Sequence, residues 1–263
     1  MYNTTYDFDI KDKTYGTEKK KGVRVFPICL IVTGAAMLLG GAIWYHNTDM
    51  SQYRSLQLKE VAETVDGSKA ERVEISVGAG SVFVGVSEDD QVHLSGNVPT
   101  DYVLKENGGT LRVDLAPDTY FNFNDLTTDP TSAEVYLPAK EYAELIIDTG
   151  AGKTTISGIK CKKADIDSGA GEVEVYELEC SGVLEGDVGT GKFTVEDAVT
   201  GGLDLDIGVG KFTYSGTVNG DMDIDCGVGE CTIDLTNNEK EYNKKYRINK
   251  DEGIGDIEIN FAE

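Results

Sequence analysis

The sequence predicts an all-β protein, a single-stranded β-solenoid with coils of about 19 residues, preceded by one transmembrane helix. Three observations carry this. First, a phrase Asp-x-Gly-x-Gly recurs: Asp148-Thr-Gly150-Ala-Gly152, Asp167-Ser-Gly169-Ala-Gly171, Asp187-Val-Gly189-Thr-Gly191, Asp206-Ile-Gly208-Val-Gly210 and Asp225-Cys-Gly227-Val-Gly229. Its Asp returns after 19, 20, 19 and 19 residues. Second, apolar and polar residues alternate on both sides of each phrase. Third, 21 residues without a charge, 25–45, stand ahead of every copy. A repeat this short cannot enclose a core alone, so neighbouring repeats must stack to share one.

Residues 1–24 read as a cytoplasmic tail, with too few apolar residues for a core. Residues 25–45 suffice, at about 1.5 Å per residue, to cross a hydrocarbon layer of roughly 30 Å. Lys19, Lys20, Lys21 and Arg24 crowd the N-terminal flank, and Arg54 is the first strong base beyond the run. This bias places the N-terminus inside and everything after Tyr45 outside. Trp44 and Tyr45 stand where an interfacial aromatic anchor belongs. A cleaved signal peptide is the competing reading, but its n-region would be unusually long and no Ala-x-Ala follows the apolar core. Cys29 lies inside the run, which argues against a lipoprotein. Ala36 and Gly40 form one small-xxx-small pair.

The formal charge is −23; the first 46 residues hold 6 bases and 4 acids, which leaves 18 bases and 43 acids, a net of −25, for the remainder. Such a surface repels nucleic acid and anionic lipid, favours cations or basic partners, and keeps a long β structure soluble. Residues 46–69 read as a juxtamembrane connector, with two helical turns over 55–63 that set Leu58, Val61 and Ala62 on one side. The extracytoplasmic domain is then 70–263. Val73, Ile75 and Val77, then Gly78-Ala79-Gly80 and Val82-Phe83-Val84, make an early, lone copy of the strand–GxG–strand pattern. Turns at Asp89-Asp90 and Asn107-Gly108-Gly109 separate further strands. Residues 116–133 are irregular, and 134–137 lead toward the regular coils.

In the regular part Leu203, Leu205 and Ile207 point one way and Asp204 and Asp206 the other. Phe212 and Tyr214 resume the apolar side after the corner. The next repeat puts Met222, Ile224, Cys226, Cys231 and Ile233 at the same inward positions, and the one before puts Leu184, Val188, Phe193 and Val195 there. Each coil is thus two short strands joined by corners, where paired glycines admit a sharp turn. Propeller blades need about twice this period, and leucine-rich repeats need a different spacing. A two-sheet sandwich of hairpins explains the alternation equally well, but not the constant register of Asp, Gly and apolar residues through five copies.

These repeated D-x-G-x-G corners resemble the bacterial family of β-strand-repeat proteins known as putative adhesins. Similar domains form the C-terminal part of membrane proteins in the Gram-positive response to cell-wall antibiotics. The resemblance covers roughly 70–261. It implies a β-solenoid at the cell envelope and no catalytic residue to carry over. Residues 237–246 depart from the pattern and stretch the interval from Gly227 to Gly253 to 26 residues. This basic stretch offers little to bury and reads as a mobile loop. Asp251-Glu-Gly253-Ile-Gly255 is read as a further departure that closes the array, with Ile257, Ile259 and Phe261 as a last inward-facing rung.

Candidate chemistry is sparse. Asp148, Asp167, Asp187, Asp206 and Asp225 should stack at the strand spacing of ~4.8 Å, beside a second column of Asp165, Glu185, Asp204 and Asp223. One reading has each first-column carboxylate accepting its own corner N–H groups, with Lys153, Lys192 and Lys211 neutralising part of the charge. The weaker one has the columns sharing Ca²⁺. Cys161 and Cys180 lie one repeat apart and are either a disulfide or two free thiols; Cys226 and Cys231 occupy core positions. His93 faces outward with no nucleophile placed beside it by spacing. The GxG motif precedes no helix, so it is no phosphate loop. No cofactor, nucleic acid or metal of known type is implied. The reading is a non-enzymatic envelope protein for adhesion or protein–protein binding. The alternatives are a sensory or regulatory membrane protein of an envelope-stress response and, disfavoured, a carboxylate-dependent hydrolase.

Overall fold

The computed structural model describes residues 57–116 and 131–262. The tail, the uncharged run 25–45 and most of 116–133 lie outside the described residues. Among those described, no helix is long and apolar enough to cross a membrane.

The protein is all-β, and its regular half is a stack of parallel coils. One coil comprises β10 (Ala164–Tyr176) and the start of β11 (Glu179–Val218). Residues 164–168 form the first leg and 170–176 the second, and the ladder passes over Gly169, where the chain bends. After Tyr176 the chain reverses through Glu177 at φ 54°. A third, short leg follows that the sequence pattern did not announce. In it Cys180 pairs with Cys161 of β9 (Lys160–Cys161), and Cys161 with Tyr142 of β7 (Glu141–Tyr142). The corner just before this leg stacks Ile159, Leu178, Ala198 and Val218, all buried.

Stacking runs in parallel register from β8 (Glu144–Ser157) through β10 and β11 to β12 (Met222–Asn238). Alternation makes the core continuous. Leu145, Ile147, Ile156, Ile166, Val173 and their counterparts face inward and are buried. Phe193 and Phe212 meet edge to face with ring centroids 5.4 Å apart. Such a pair adds about 0.5–1.5 kcal/mol to its burial. Tyr214 is wholly buried, and its hydroxyl contacts Thr200 Oγ1 at 3.2 Å and donates to the Thr217 carbonyl at 3.0 Å.

Coil order in space differs from order in sequence. The early copy, β2 (Arg72–Ser87), pairs with β8 on one side and with β5 (Thr110–Leu115) and β6 (Thr131–Pro138) on the other. The chain therefore returns past β2 before building the regular coils. Three antiparallel strands close that end: β4 (Val103–Asn107) on β5, β3 (Gln91–Pro99) on β6, and β1 (Leu58–Asp66) on β3. Residues 58–63 were expected to be helical and are strand instead. Two turns of helix would have had only packing to hold them, whereas β3 offers a nine-residue ladder from Leu58↔Pro99 to Asp66↔Gln91.

The other end is built from β13 (Ile248–Glu252) and β14 (Asp256–Ala262), both paired to β12. Ile257 is buried and Ile259 and Phe261 partly so, opposite Cys231, Ile233 and Leu235, as expected of a last rung. Asp251 aligns with Asp225, so the closing segment is a sixth copy of the phrase rather than a departure from it. Residues 237–246 are not the free loop expected. They contain α1 (Glu239–Tyr242), capped by Asn238, whose side chain accepts from the Glu241 amide. Tyr242 is buried, donates to the Gly220 carbonyl at 2.5 Å, and stacks against Phe261 and Tyr246. Asn237 holds both the amide and the carbonyl of Val218. Tyr242, with Tyr246 packed beside it, thus plugs this end of the core.

The paired glycines have one decisive cause. A Cβ on Gly208 would stand 2.7 Å from the Gly189 carbonyl oxygen, and on Gly227 2.6 Å from that of Gly208. At the second glycine, as at Gly210 against Gly191, the approach is closer still. Gly210→Ala should therefore cost roughly 3 kcal/mol or more through backbone displacement. Gly108→Ala, in a turn with open space around it and φ +63°, should cost about 1 kcal/mol. Urea melts of the two variants measure the difference; equal midpoints would show that the coils do not stack at this distance.

Candidate functional site

The first leg carries the candidate site on its outer face. Asp148, Asp167 and Asp187 are in direct register, as are Asp206 and Asp225. All five are exposed. Beside them Asp165 aligns with Glu185, and Asp204 with Asp223. A shallow groove of about 210 Å³ runs between the two columns, lined by Asp165, Asp167, Glu185, Asp187, Asp204 and Asp206. A neighbouring groove of about 460 Å³ continues past Asp204 to Val183, Met222, Asp221 and Arg247.

The expected Asx-turn role is not what the structure shows. Asx contacts occur elsewhere: Asp66 accepts from the Ser68 amide, Asp89 from that of Gln91, and Asp114 from that of Ala116. Around the glycines of the phrase, by contrast, the backbone belongs to the ladder between coils, for example Ala170↔Thr190 and Gly171↔Gly191. Nor do the lysines beyond the corners reach the Asp column. Lys153 lies 3.6 Å from Glu172 and 2.8 Å from Glu174, Lys192 lies 3.2 Å from Glu172, and Lys211 lies 3.0 Å from Glu230. Their side chains emerge on the second leg, across the bend. The second leg therefore pairs lysine with glutamate at Lys153–Glu172–Lys192 and at Lys211–Glu230, while the first keeps its like charges.

The cost is visible in the carboxylates. Desolvation by the crowded neighbours, then repulsion from Asp165, Asp187 and Asp148, hold Asp167 above the usual range. Asp206 is raised likewise, by desolvation and then by Asp187 and Asp225. Lys163 relieves part of the second column, 2.7 Å from Glu185 and 3.8 Å from Asp165, though desolvation still holds Asp165 above its usual range, and Asn249 donates to Asp223 at 2.9 Å. Among the described residues no three His, Cys, Asp or Glu side chains converge closely enough to hold a metal ion.

The remaining candidates sit apart from this face. Cys161, Cys180, Cys226 and Cys231 are free thiols buried in the core. Cys161 and Cys180 stack directly; hydrogen bonding to Cys180 and then burial push the Cys161 thiol up. Burial does the same for Cys231. His93 faces out as expected, but β1 brings it a partner that spacing could not reveal. Its Nδ1 lies 3.3 Å from Thr64 Oγ1, and its Nε2 lies 2.9 Å from Asp89 Oδ1. The three form an exposed clasp between β1 and the β2–β3 turn.

Residues 70–263 match a family model described as Toastrack DUF4097. No curated protein matches the chain. Among solved structures, a "putative cell adhesion protein" from Clostridium sporogenes aligns at 17% identity over 78% of this chain and all of its own, with a TM-score of 0.46. A "putative adhesin" from Parabacteroides distasonis aligns at 11% identity over 78% of this chain and 97% of its own, with a TM-score of 0.30.

The raised carboxylates have a signed consequence. A carboxyl held above its ordinary value weakens the fold when ionised, and the penalty disappears as pH falls through that raised value toward 3.8. Asp206→Asn should therefore stabilise the protein at pH 7, by about 0.5–1 kcal/mol for one like-charged stack position. The gain over the parent should shrink to nothing near pH 3.5. Paired thermal melts across pH 3.5–7.5 check this; a loss of stability at pH 7 would mean that Asp206 is held by a favourable contact after all.

Proposed function

The chain belongs to the Toastrack DUF4097 family, and from that premise we propose that it acts without catalysis, as a single-pass cell-envelope protein that presents its β-solenoid for adhesion or protein–protein binding. The observation that carries this is the uncompensated acidic ladder. Charge alternation was open to the fold, since the second leg uses it with Lys153, Glu172 and Lys192. The first leg keeps instead a rigid, evenly spaced row of carboxylates with an adjoining groove. Such a row suits a basic protein surface, which would gain from several charges at once. The address follows from the basic flank before residues 25–45.

A regulatory role is the second reading, and β1 favours it. Residues 58–66 of the expected connector belong to the stack as a nine-residue strand, clasped by the Thr64–His93 contact. A load on the stack then bears on β1, the described strand that follows the proposed anchor in sequence.

Bacteria expressing the full chain provide the test. Protease added to intact protoplasts should digest the domain and spare the tail. A lysine-rich peptide should be captured by the protoplasts, more weakly as salt rises. Asp167→Asn with Asp187→Asn and Asp206→Asn should weaken capture about tenfold, the effect of three lost contacts of roughly 0.5 kcal/mol each. A protected domain would overturn the address, and unchanged capture would overturn the acidic face as the binding surface.

A further inference from the structure

Among the described residues the last rung leaves the edge of β14 without a second strand, its single ladder partner being β12. The Ile257 carbonyl accepts a hydrogen bond from Lys250 Nζ at 3.2 Å, so a backbone acceptor of this strand is met by a side chain. An unpaired edge of this kind is a template for strand addition. Ile259 and Phe261 are only partly buried, and among the described residues no further coil covers them.

The sequence of this edge is complementary to itself. Turn a second Asp256–Ala262 antiparallel to the first, about a two-fold axis at Ile259. Ile259 then meets Ile259, Ile257 meets Phe261, Glu258 meets Asn260 and Asp256 meets Ala262. No like charges stand opposite, and Ile257, Ile259 and Phe261 meet one another on the core face. The neighbouring edge strand is unsuited to this, since β13 carries Lys250, Asp251 and Glu252 in succession. The far end of the stack is blunted too: β1 exposes Lys59, Glu60 and Glu63. The β14 edge in this register thus meets no like charges, unlike β13.

We propose that a second copy of this chain docks on β14, forming a two-fold dimer in which two solenoids join end to end through an antiparallel β14–β14 ladder. The inference rests on the strand edge and holds whether or not the chain is anchored in a membrane. A seven-residue ladder buries little area, so the dimer is weak, with a dissociation constant on the order of 10–100 µM. β1 and β14 lie at opposite ends of the strand order. At a strand spacing of roughly 4.8 Å the dimer therefore holds the two β1 ends about 80–90 Å apart. On cell surfaces it would link copies facing one another.

Sedimentation equilibrium of the full chain in density-matched detergent tests this. A monomer–dimer equilibrium is expected. Asn260→Lys sets each new lysine against Glu258 of the second copy and beside its own Asp234, and should tighten the dimer roughly tenfold. Glu258→Lys with Asn260→Lys sets lysine against lysine twice and should weaken it at least tenfold. Both positions are exposed, and unchanged melting temperatures would confirm intact monomers. Four outcomes would overturn the proposal: a monomer at all concentrations up to about 1 mM, open-ended growth, a dimer indifferent to both variants, as association through residues 25–45 would be, or two variants that shift the equilibrium the same way.

Discussion

The structure depends on how closely one backbone may approach the next at the bend of each coil. The carbonyl of one phrase stands where the side chain of the following phrase would begin, as between Gly189 and Gly208. Only hydrogen fits there. Two columns of glycine are therefore the condition for stacking, and once they are satisfied the register of every other column is fixed. Phe193 over Phe212, Cys161 over Cys180 and Asp187 over Asp167 all follow from that one alignment. A shift by one residue would turn each leg inside out and bring a Cβ against a carbonyl.

Register has unequal consequences for different chemistry. Stacking like on like favours apolar side chains, which bury one another, and penalises charges, which repel at the strand spacing. The two outward faces deal with this differently. On the second leg lysine meets glutamate, in Lys153, Glu172 and Lys192 and again in Lys211 and Glu230. On the first leg Asp is retained at consecutive rungs, and Asp167 and Asp206 are raised by desolvation and by one another. Glycine at the bend does not demand this, because the carboxylates accept none of the bend amides. Early position Ser76 shows the point: it pairs with Asp148 in register and carries no charge. The acidic row is separable from the architecture, which is why it bears on function.

Sequence made the regular coils legible because their constraints are local and repeated. Alternation told inside from outside, and Phe193, Phe212, Cys226 and Cys231 fell where expected. Features set by distant contacts were hidden. The third leg is only two residues long in places, too short for alternation to show, although the 19-residue interval between Cys161 and Cys180 was a trace of it. The placement of β2 between β6 and β8 depends on a chain reversal that no local pattern encodes. Residues 58–63 have a weak helical pattern that β3 overrides by offering a ladder. Polar composition misled at 237–246, since one residue, Tyr242, decides where that segment lies. At the site, the columns were legible and the partners of Lys153, Lys192 and Lys211 were not, because the bend sends their side chains to another leg.

The two ends of the stack also face different physical problems. At the β1 end the coil made by β5 and β6 is covered by antiparallel strands. The outermost, β1, is rich in charge, which protects its backbone groups from strangers. At the β14 end the interior is stoppered by Tyr242 against Phe261, yet the last strand alternates Asp256, Glu258 and Asn260 with Ile257, Ile259 and Phe261. An open-ended fibre requires both ends to accept strands, and complementary ones. Here one end is blunted and the other is complementary only to itself. Antiparallel pairing of β14 with a second β14 uses up that edge in both copies, so the association proposed above closes at two.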